Sequence, residues 1–258
     1  MRGWIAAGLI VVAAAGGLAQ GRFGDFGRFG GRRRPFQAQP NIPYDGRFTF
    51  VRVSYEVGPG GYWYRGEPSW AHGYPIAEQN LMQIMNEVSY LGAHDAEINT
   101  LALDDPELFK YPVAYMCEPG FWTLTDKEAA GLRAYLSKGG FLIVDDFVGR
   151  HFTNFAEQMR KVLPAGQLVE IPNDHPVFDS FFRVEDPRAF PHPYFRVSPT
   201  YLGVFEDNDP SKRLMMIVNY NQDVSEYWEW SDTNINPIDL NNEAYKLGVD
   251  YVIYGMTH

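Results

Sequence analysis

The sequence contains a single cysteine, which excludes an intramolecular disulfide framework. Its most apolar run, from Trp4 to Ala15, is shorter than the roughly 20 residues that a membrane-spanning helix needs. Basic residues are also few, with 22 Lys and Arg against 32 Asp and Glu and a formal net charge of −10. These shortages argue against a disulfide-stabilised miniprotein and a multispanning membrane protein.

The charge is unevenly distributed along the chain. Six arginines and Asp25 give the first 40 residues a net charge of +5, which leaves −15 on residues 41–258. A body this acidic repels the phosphates of nucleic acids and anionic lipids. We therefore expect no nucleic-acid partner, whereas a cell-envelope protein or glycan fits the charge.

The N-terminal 46 residues have the features of an export segment. Arg2, the apolar run that follows it and the small residues Gly17-Leu18-Ala19 predict a signal peptide at 1–19, with an uncleaved anchor as the alternative. Gln20 stands where a lipoprotein signal needs cysteine. Residues 20–46 are rich in Gly, Arg and Phe and predict a disordered tether, or a cationic segment that touches an anionic envelope polymer. We expect an exported protein, periplasmic or extracellular, without a transmembrane segment after signal cleavage.

The most informative stretch of the chain runs from residue 121 to residue 147. Thr125 and Glu128 form a capping box at the start of a helix, and Gly139-Gly140 ends that helix. The apolar run from Phe141 to Val144 is typical of a strand that is covered on both faces. Asp145 and Asp146 then follow at the carboxyl end of the strand, where open α/β sheets usually bind ligands.

Strands and helices alternate through residues 47–258, which we interpret as one domain. Strands are predicted at 48–55, 96–103, 111–117, 141–144, 167–171, 201–205 and 213–219, and helices at 76–88, 125–139, 155–163 and 241–257. This alternation implies parallel strands with right-handed crossovers. The predicted fold is a three-layer α/β/α sandwich with a mostly parallel central sheet.

Several segments together resemble the bacterial domain-of-unknown-function family number 4159. These segments are YPVAYMCEPG, LTDKEAAGLRAYLSKGGFLIVDD, IPNDHPVF, MMIVNYNQD and NNEAYKLGVDYVIYGMTH. The resemblance covers roughly residues 47–258 and implies a class I glutamine amidotransferase-like, flavodoxin-like fold in an envelope setting. It implies no reaction, because the family has no assigned one.

The amidotransferase nucleophile, a cysteine on a tight strand-to-helix turn, is absent from its expected place. The single Cys117 lies between Met116 and Glu118, one strand too early, and Asp145-Asp146 occupies the expected position. We therefore interpret Cys117 as a buried small hydrophobic residue.

Asp145 and Asp146 are the first candidates for a functional site. Adjacent residues of a strand point to opposite faces, so at most one of them faces a cleft while the other caps a segment or binds backbone amides. Crowded carboxylates can bind a divalent cation or act as a general base. A purely structural cap is the alternative.

Six histidines offer further candidates, although no HxxxH or HxH pair places two of them on one face. They are His72, His94, His151, His175, His192 and His258. The sequence Asp174-His175-Pro176 is predicted to turn an imidazole toward the Asp145/Asp146 edge, and His151 follows that edge closely. Asp146, His151 and His175 are thus weak candidates for a metal site, with local turn histidines as the alternative.

Polar residues after the last predicted strand complete the candidates. Asn221 and Asp223 are predicted to reach the same edge and bind a sugar or peptide, together with Glu226, Trp228 and Trp230. A well-packed aromatic loop is the alternative.

Two functions are compatible with these residues. The first is a non-catalytic amidotransferase-like binding module of the envelope. The second is a hydrolase that uses Asp145 or Asp146 with His151 or His175, with or without a divalent metal. A histidine nitrogen within about 6–8 Å of either carboxylate, with a cavity between the two groups, favours the enzyme, whereas bonds to backbone amides alone favour the module.

Overall fold

The computed structural model of this chain describes residues 36–63 and 66–258, in which a seven-stranded sheet is flanked by five α-helices. The predicted signal peptide, residues 1–19, and residues 20–35 of the predicted tether lie outside the described residues. In chain order the strands are β1 (Val51–Ser54), β2 (Glu56–Val57), β3 (Asn99–Ala102), β4 (Val113–Cys117), β5 (Trp122–Thr123), β6 (Phe141–Phe147), β7 (Val169–Glu170), β8 (Thr200–Phe205) and β9 (Leu214–Tyr220). The helices are α1 (Ile76–Val88), α2 (Asp126–Ser137), α3 (His151–Val162), α4 (Val224–Glu229) and α5 (Ile238–Thr257).

The central sheet is mostly parallel, as predicted. Its strand order is β3-β1-β4-β6-β9-β8-β7, with β8 antiparallel to both of its neighbours and the first five strands parallel to one another. If these five parallel strands are numbered by their position in the chain, their order across the sheet is 2-1-3-4-5. This order is a common doubly wound arrangement. The order reverses between β1 and β4, and crevices at such reversals are where doubly wound proteins bind ligands.

Two hydrophobic clusters cover the two faces of the sheet and confirm the three-layer architecture. Side chains alternate along β6, so that Phe141 and Ile143 join one cluster while Leu142 and Val144 join the other. The first cluster packs against α1, α4 and α5, and the second packs against α2 and α3. The strand is buried along its whole length, which explains its continuous apolar run.

The elements with strong local signals have the predicted limits. Helix α1 spans Ile76–Val88, and α2 begins after Thr125 with both hydrogen bonds of the capping box formed. Helix α3 starts at His151, four residues before the predicted start, while α4 and the short β2–β5 ribbon were not predicted. No helix within the described ranges has both the length and the apolar character to cross a membrane.

Residues 36–46 are part of the folded body, although the sequence placed them in the tether. The Asn41 side chain exchanges two hydrogen bonds with the backbone of Thr100 in β3, at 2.7 and 2.8 Å. The amide of Ile42 donates to the Asn99 side chain at 2.9 Å. Asn41 and Ile42 thus bind the edge strand β3 as a neighbouring strand would. The composition of the segment does not reveal this role.

Candidate functional site

Asp145, one of the two acids near the end of β6, has a structural role. It is fully buried and accepts hydrogen bonds from the hydroxyl of Tyr115 and the side-chain amide of Asn219, each at 3.0 Å. It also accepts from the backbone amides of Val224 and Ser225 at 3.0 and 2.9 Å. Asp145 therefore fixes the first turn of α4, and burial raises its pKa to about 6.

Asp146 faces the opposite way and has different partners. Its backbone is left-handed, with φ at +60°, and it lies at a register shift between β6 and β9, an unusual conformation for a non-glycine residue. Its Oδ2 accepts from Nδ1 of His72 at 2.8 Å and from the thiol of Cys117 at 3.4 Å. Its Oδ1 is buried and has no hydrogen-bond partner within residues 36–63 and 66–258.

His72 and Asp146 form a buried charge pair. Burial opposes the charge on His72, but the hydrogen bonds to Asp146 and Glu118 raise the histidine pKa well above 6.5. Burial likewise opposes the charge on Asp146, and the bond from His72 outweighs it, so the pKa of Asp146 is lowered. The imidazolium is thus the donor and the carboxylate the acceptor.

The loop between β1 and α1 places His72 at the edge of the sheet. Arg52 in β1 donates to the carbonyl oxygens of Trp70 and His72 at 2.9 and 3.0 Å. Its guanidinium is fully buried and forms an ion pair with the equally buried Glu78 of α1. The imidazole stacks on Trp63 with ring centres 4.8 Å apart. A buried cation under the loop therefore fixes the backbone that carries the histidine.

Cys117 ends β4 and contributes its sulfur to the same cluster. It pairs in register with Asp145 and is fully buried, so its predicted burial is confirmed. Burial, and then the charge of Asp146, raise the thiol pKa well above 9.0. A protonated, enclosed thiol does not suit a nucleophile. Its surroundings are nevertheless polar, because it faces both Asp146 and the carbonyl oxygen of His72.

Glu118 adds a second carboxylate beside the histidine. Its backbone is left-handed, with φ at +46°, which turns the side chain back toward the cluster. One oxygen lies 3.2 Å from Nδ1 of His72, and the other accepts from the indole of Trp63 at 2.8 Å. Burial, followed by the charge of Asp146, raises the pKa of Glu118 to about 7.

Three acids at or near α4 border the cluster from the other side. One oxygen of Asp223 caps α4 by accepting from the amide of Glu226 at 3.0 Å, and its other oxygen is buried without a partner in the described part of the chain. His72, Glu226 and Glu229 each offer a ligand atom, and these atoms lie within 4.8 Å of one another. Burial raises the pKa of Asp223 well above 3.8 and that of Glu226 to about 8.

The other predicted site residues lie around or away from this cluster. His151 is at the same edge but packs edge-on against Phe121, with ring centres 4.9 Å apart. Asn221 accepts from the amide of Gly149 at 3.0 Å and so joins the loops after β6 and β9. Trp228 is buried in the core, where its indole donates to the carbonyl of Ala244. These three contacts are structural.

The structure does not bring His175 to the Asp146 edge, and Asp174 is exposed. His175 packs against Phe205 and Tyr254, and the Tyr254 hydroxyl accepts from the amide of Leu214, the first residue of β9. Asp146 lies instead beside the other end of β9. That end is about 20 Å from Leu214, at about 3.3 Å per strand residue. The expected approach of His175 is therefore wrong, because the chain turns back after β7 and places His175 beside Phe205, at the edge where the parallel strands begin.

Sequence reasoning missed the histidine that binds the predicted aspartate. His72 was one of six candidates, and it lies in an aromatic loop that follows the first strand. In a parallel sheet, the loop after β1 emerges at the same edge as the loops after β4 and β6, so topology gave a signal for His72. The choice among six histidines still required the packing of that loop.

The donor set can hold a cation. His72, Cys117 and Asp146 each present one ligand atom within 4.8 Å of the others, and they come from three segments that meet where the strand order reverses. Nitrogen, sulfur and oxygen donors together suit a borderline metal such as zinc better than calcium or magnesium.

Fold and site together define a doubly wound α/β protein in which a partly exposed histidine meets a buried thiol and carboxylate at the carboxyl edge of the parallel strands. The chain belongs to the family described as Domain of unknown function (DUF4159), whose model matches residues 49–256. The family resemblance of the sequence is thereby confirmed. A search of curated proteins found no match.

Proposed function

We propose that this chain binds a divalent transition metal through His72, Cys117 and Asp146, and that the bound metal assists hydrolysis. One observation carries the proposal: three ligand types that transition metals prefer converge while Oδ1 of Asp146 stays buried and unpartnered in the described residues. A buried carboxylate oxygen without a partner costs about 1–3 kcal/mol, part of which a cation on the same carboxylate would offset.

The spacing of the ligand atoms fits such a metal. Four ligands at about 2.0–2.3 Å from zinc in a tetrahedron are roughly 3.3–3.8 Å apart. The sulfur of Cys117 lies 3.4 Å from Oδ2 of Asp146, and the Nδ1 of His72 lies 2.8 Å from the same oxygen. A shift of the imidazole by less than 1 Å would therefore open room for the ion.

Proton release accompanies binding in this proposal. The metal requires a neutral imidazole and a thiolate, whereas the metal-free cluster holds an imidazolium and a thiol. Two protons consequently leave for each ion bound, and affinity rises with pH.

The location favours chemistry over a purely structural metal. Three protein ligands would leave a coordination position open, as in catalytic zinc sites. A metal held by them would supply an activated water for the hydrolysis of an amide or ester. Glu118, with one oxygen 3.2 Å from Nδ1 of His72, would carry the proton of that water to the leaving group.

A binding module without turnover is the second candidate. Asp146 is 2% exposed and the His72 side chain 25% exposed, so the imidazole and its stacked Trp63 form a partly exposed end of the site. An aromatic ring above an enclosed polar site suits recognition of a sugar or a peptide. We further propose that the protein is exported to the periplasm or cell surface and is related in fold to the class I glutamine amidotransferases.

Metal titration of the purified full chain tests the metal site. After chelator treatment, Zn²⁺ or Co²⁺ is added, and the bound metal is quantified by elemental analysis after gel filtration. We expect about one ion per chain. The Co²⁺ form should show a sulfur-to-metal absorption band that Cys117→Ser abolishes.

Asp146→Asn should weaken binding by more than about 100-fold, since it removes a charged ligand. Asp45→Asn is the matched control, because Asp45 also binds a histidine, His94, at 3.1 Å, but on the exposed surface. Equal metal affinity in Asp146→Asn and Asp45→Asn would show that the cluster does not bind the ion.

A further inference from the structure

His192 is buried next to the proposed metal site with an unused donor. It is 5% exposed, and its Nε2 has no hydrogen-bond partner in the part of the chain that the structure describes. Its Nδ1 accepts from the backbone amides of Tyr194 and Phe195 at 3.1 and 3.3 Å. An imidazole that accepts at Nδ1 carries its proton at Nε2, so the free group is an N–H donor.

The neutral state of His192 also follows from its surroundings. Burial lowers its pKa to about 4, although the charge of Asp146 acts in the opposite direction. The same charge interaction places His192 near the carboxylate of the cluster. A neutral N–H donor therefore lies near a site that is rich in acids.

Two hydrogen bonds fasten the loop that carries His192 to the segment that borders the site. Gln222 donates to the carbonyl of Phe190 at 2.8 Å, and the hydroxyl of Tyr227 donates to the carbonyl of Pro191 at 3.0 Å. Both donors lie in the segment after β9 that also carries Asp223 and Glu226. The unused N–H is consequently fixed in position by the same elements that supply the acids, as expected for a binding group.

We propose that Nε2–H of His192 donates a hydrogen bond to an oxygen of the ligand that binds at the Asp146 cluster. This inference rests on the proposed metal site and deepens it by naming a ligand-binding residue. The donor role explains why a buried N–H is kept without a hydrogen-bond partner among the described residues, although an unpaired buried donor destabilises the free protein.

The charges around the donor select the chemistry of that ligand. Burial raises the pKa of Glu118, Asp223, Glu226 and Glu229 around the cluster, so the site disfavours negative charge, and an anionic ligand would add to it. A neutral carbonyl oxygen accepts a hydrogen bond without this penalty. The structure therefore favours an amide or ester carbonyl, held between the metal and His192, over a free carboxylate or phosphate.

Two substitutions separate the donor from the rest of the imidazole. In His192→Asn, the side-chain oxygen can still accept from the amides two and three residues on, but the donor at the Nε2 position is lost. In His192→Gln, the longer side chain places an N–H near the Nε2 position. Neither change touches the proposed metal ligands.

The experiment uses the zinc-loaded full chain with acetamide as a neutral carbonyl probe and acetate as its anionic counterpart. Histidine ¹⁵N NMR reports the Nε2–H of His192, and titration gives the probe affinity. We expect acetamide to shift the Nε2–H resonance and His192→Asn to weaken probe binding about tenfold, the value of one hydrogen bond. His192→Gln should recover part of the loss, and acetate should bind more weakly than acetamide.

The outcomes separate this inference from the metal site itself. Zinc affinity should be equal in wild type, His192→Asn and His192→Gln. Zinc binding with no Nε2–H shift, or with equal probe affinity in His192→Asn, would overturn the role of His192 and leave the metal site standing. Failure of all three proteins to bind zinc would overturn the metal site. In that case a probe-induced shift in the metal-free chain supports the donor role, and its absence overturns that role too.

Discussion

Neighbouring acids in β6 show how one residue step changes the role of a carboxylate. The alternation of strand side chains predicts that Asp145 and Asp146 diverge, and the structure confirms it. The sequence could not say which of them faces the site, because Asp145 binds the amides of Val224 and Ser225, 79 and 80 residues away. Local pattern thus predicted the pair, and only tertiary contacts assigned the two roles.

The state of Cys117 leads to a prediction at the same scale. Burial and the charge of Asp146 keep the thiol protonated, so alkylation should require opening of the structure. We expect the native metal-free chain to react with iodoacetamide at pH 8 at least about 100-fold more slowly than the urea-unfolded chain. Because this is the single cysteine, mass spectrometry follows one site. Similar rates in both states would contradict the buried, protonated thiol.

At the scale of elements, local signals predicted some boundaries well and others poorly. Helix α2 is marked by the capping box of Thr125 and Glu128, and helix α1 by its apolar stripe. Both signals are local to the helix that they mark, so both helices were predicted from sequence. Helix α4 has six residues, and its start depends on Asp145 in a distant strand. No periodicity within so short a segment could reveal it.

The loop that bears His72 shows a similar dependence on distant contacts. It is held by Arg52, whose charge is balanced by Glu78 beneath the loop. A sequence pattern identifies Arg52 as a charged residue within an apolar strand, but not its partner in the next helix. The histidine of the site was missed for this reason.

The Arg52–Glu78 pair gives a prediction about stability. Both side chains are fully buried, so removal of one partner leaves an uncompensated charge that costs about 3–5 kcal/mol. Glu78→Leu should therefore lower the free energy of unfolding by this amount in urea denaturation. The double variant Arg52→Met/Glu78→Leu should lose less than the sum of the two single variants, because it leaves no unpaired charge.

An exposed pair provides the control for this double-mutant cycle. Lys110 and Glu107 lie 2.7 Å apart on the surface, so Glu107→Gln should leave the free energy of unfolding nearly unchanged. Additive losses at Arg52 and Glu78 would mean that the two charges do not stabilise each other. The metal affinity of the Arg52→Met variant should also fall, since the carbonyl of His72 loses its donor.

At the scale of the whole molecule, topology decides where the site lies. The loops after β1, β4, β6 and β9 converge at the edge where the strand order reverses, and they bring His72, Cys117, Asp146 and Asp223 together. The alternation of strands and helices predicted this edge from sequence. It could not predict that the segment after β7 carries His192 to the site and His175 to the opposite edge, because that segment has little regular structure.

The same irregular segment is fastened to α5 by a buried acid. One oxygen of Asp250 accepts from the amides of Phe181 and Phe182, each at 2.8 Å, and the other has no partner within the described ranges. Burial raises the pKa of Asp250 to about 7 from an ordinary value of 3.8. Between about pH 4 and pH 7, the folded protein therefore keeps a proton on Asp250 that the unfolded chain has already released.

This difference makes stability depend on pH in a defined direction. Because the folded pKa is raised, the contribution of Asp250 is fully present below about pH 4 and is lost as pH rises through about 7. Asp250→Asn keeps the acceptor oxygen and cannot ionise. We expect the wild type to lose on the order of 2–4 kcal/mol relative to Asp250→Asn between about pH 4 and pH 8, measured by urea denaturation at each pH.

Comparison of the two proteins isolates Asp250 from the other titrating groups, since His72, Glu118 and Glu226 are present in both. Asp179→Asn is a suitable further control, because the charge of Asp179 also raises the pKa of Asp250. That variant should show a shallower fall in stability than the wild type, with its midpoint at lower pH. Parallel curves for the wild type and Asp250→Asn would mean that Asp250 is already ionised in the folded protein at acidic pH, and that burial beside Phe181 and Phe182 leaves its charge solvated.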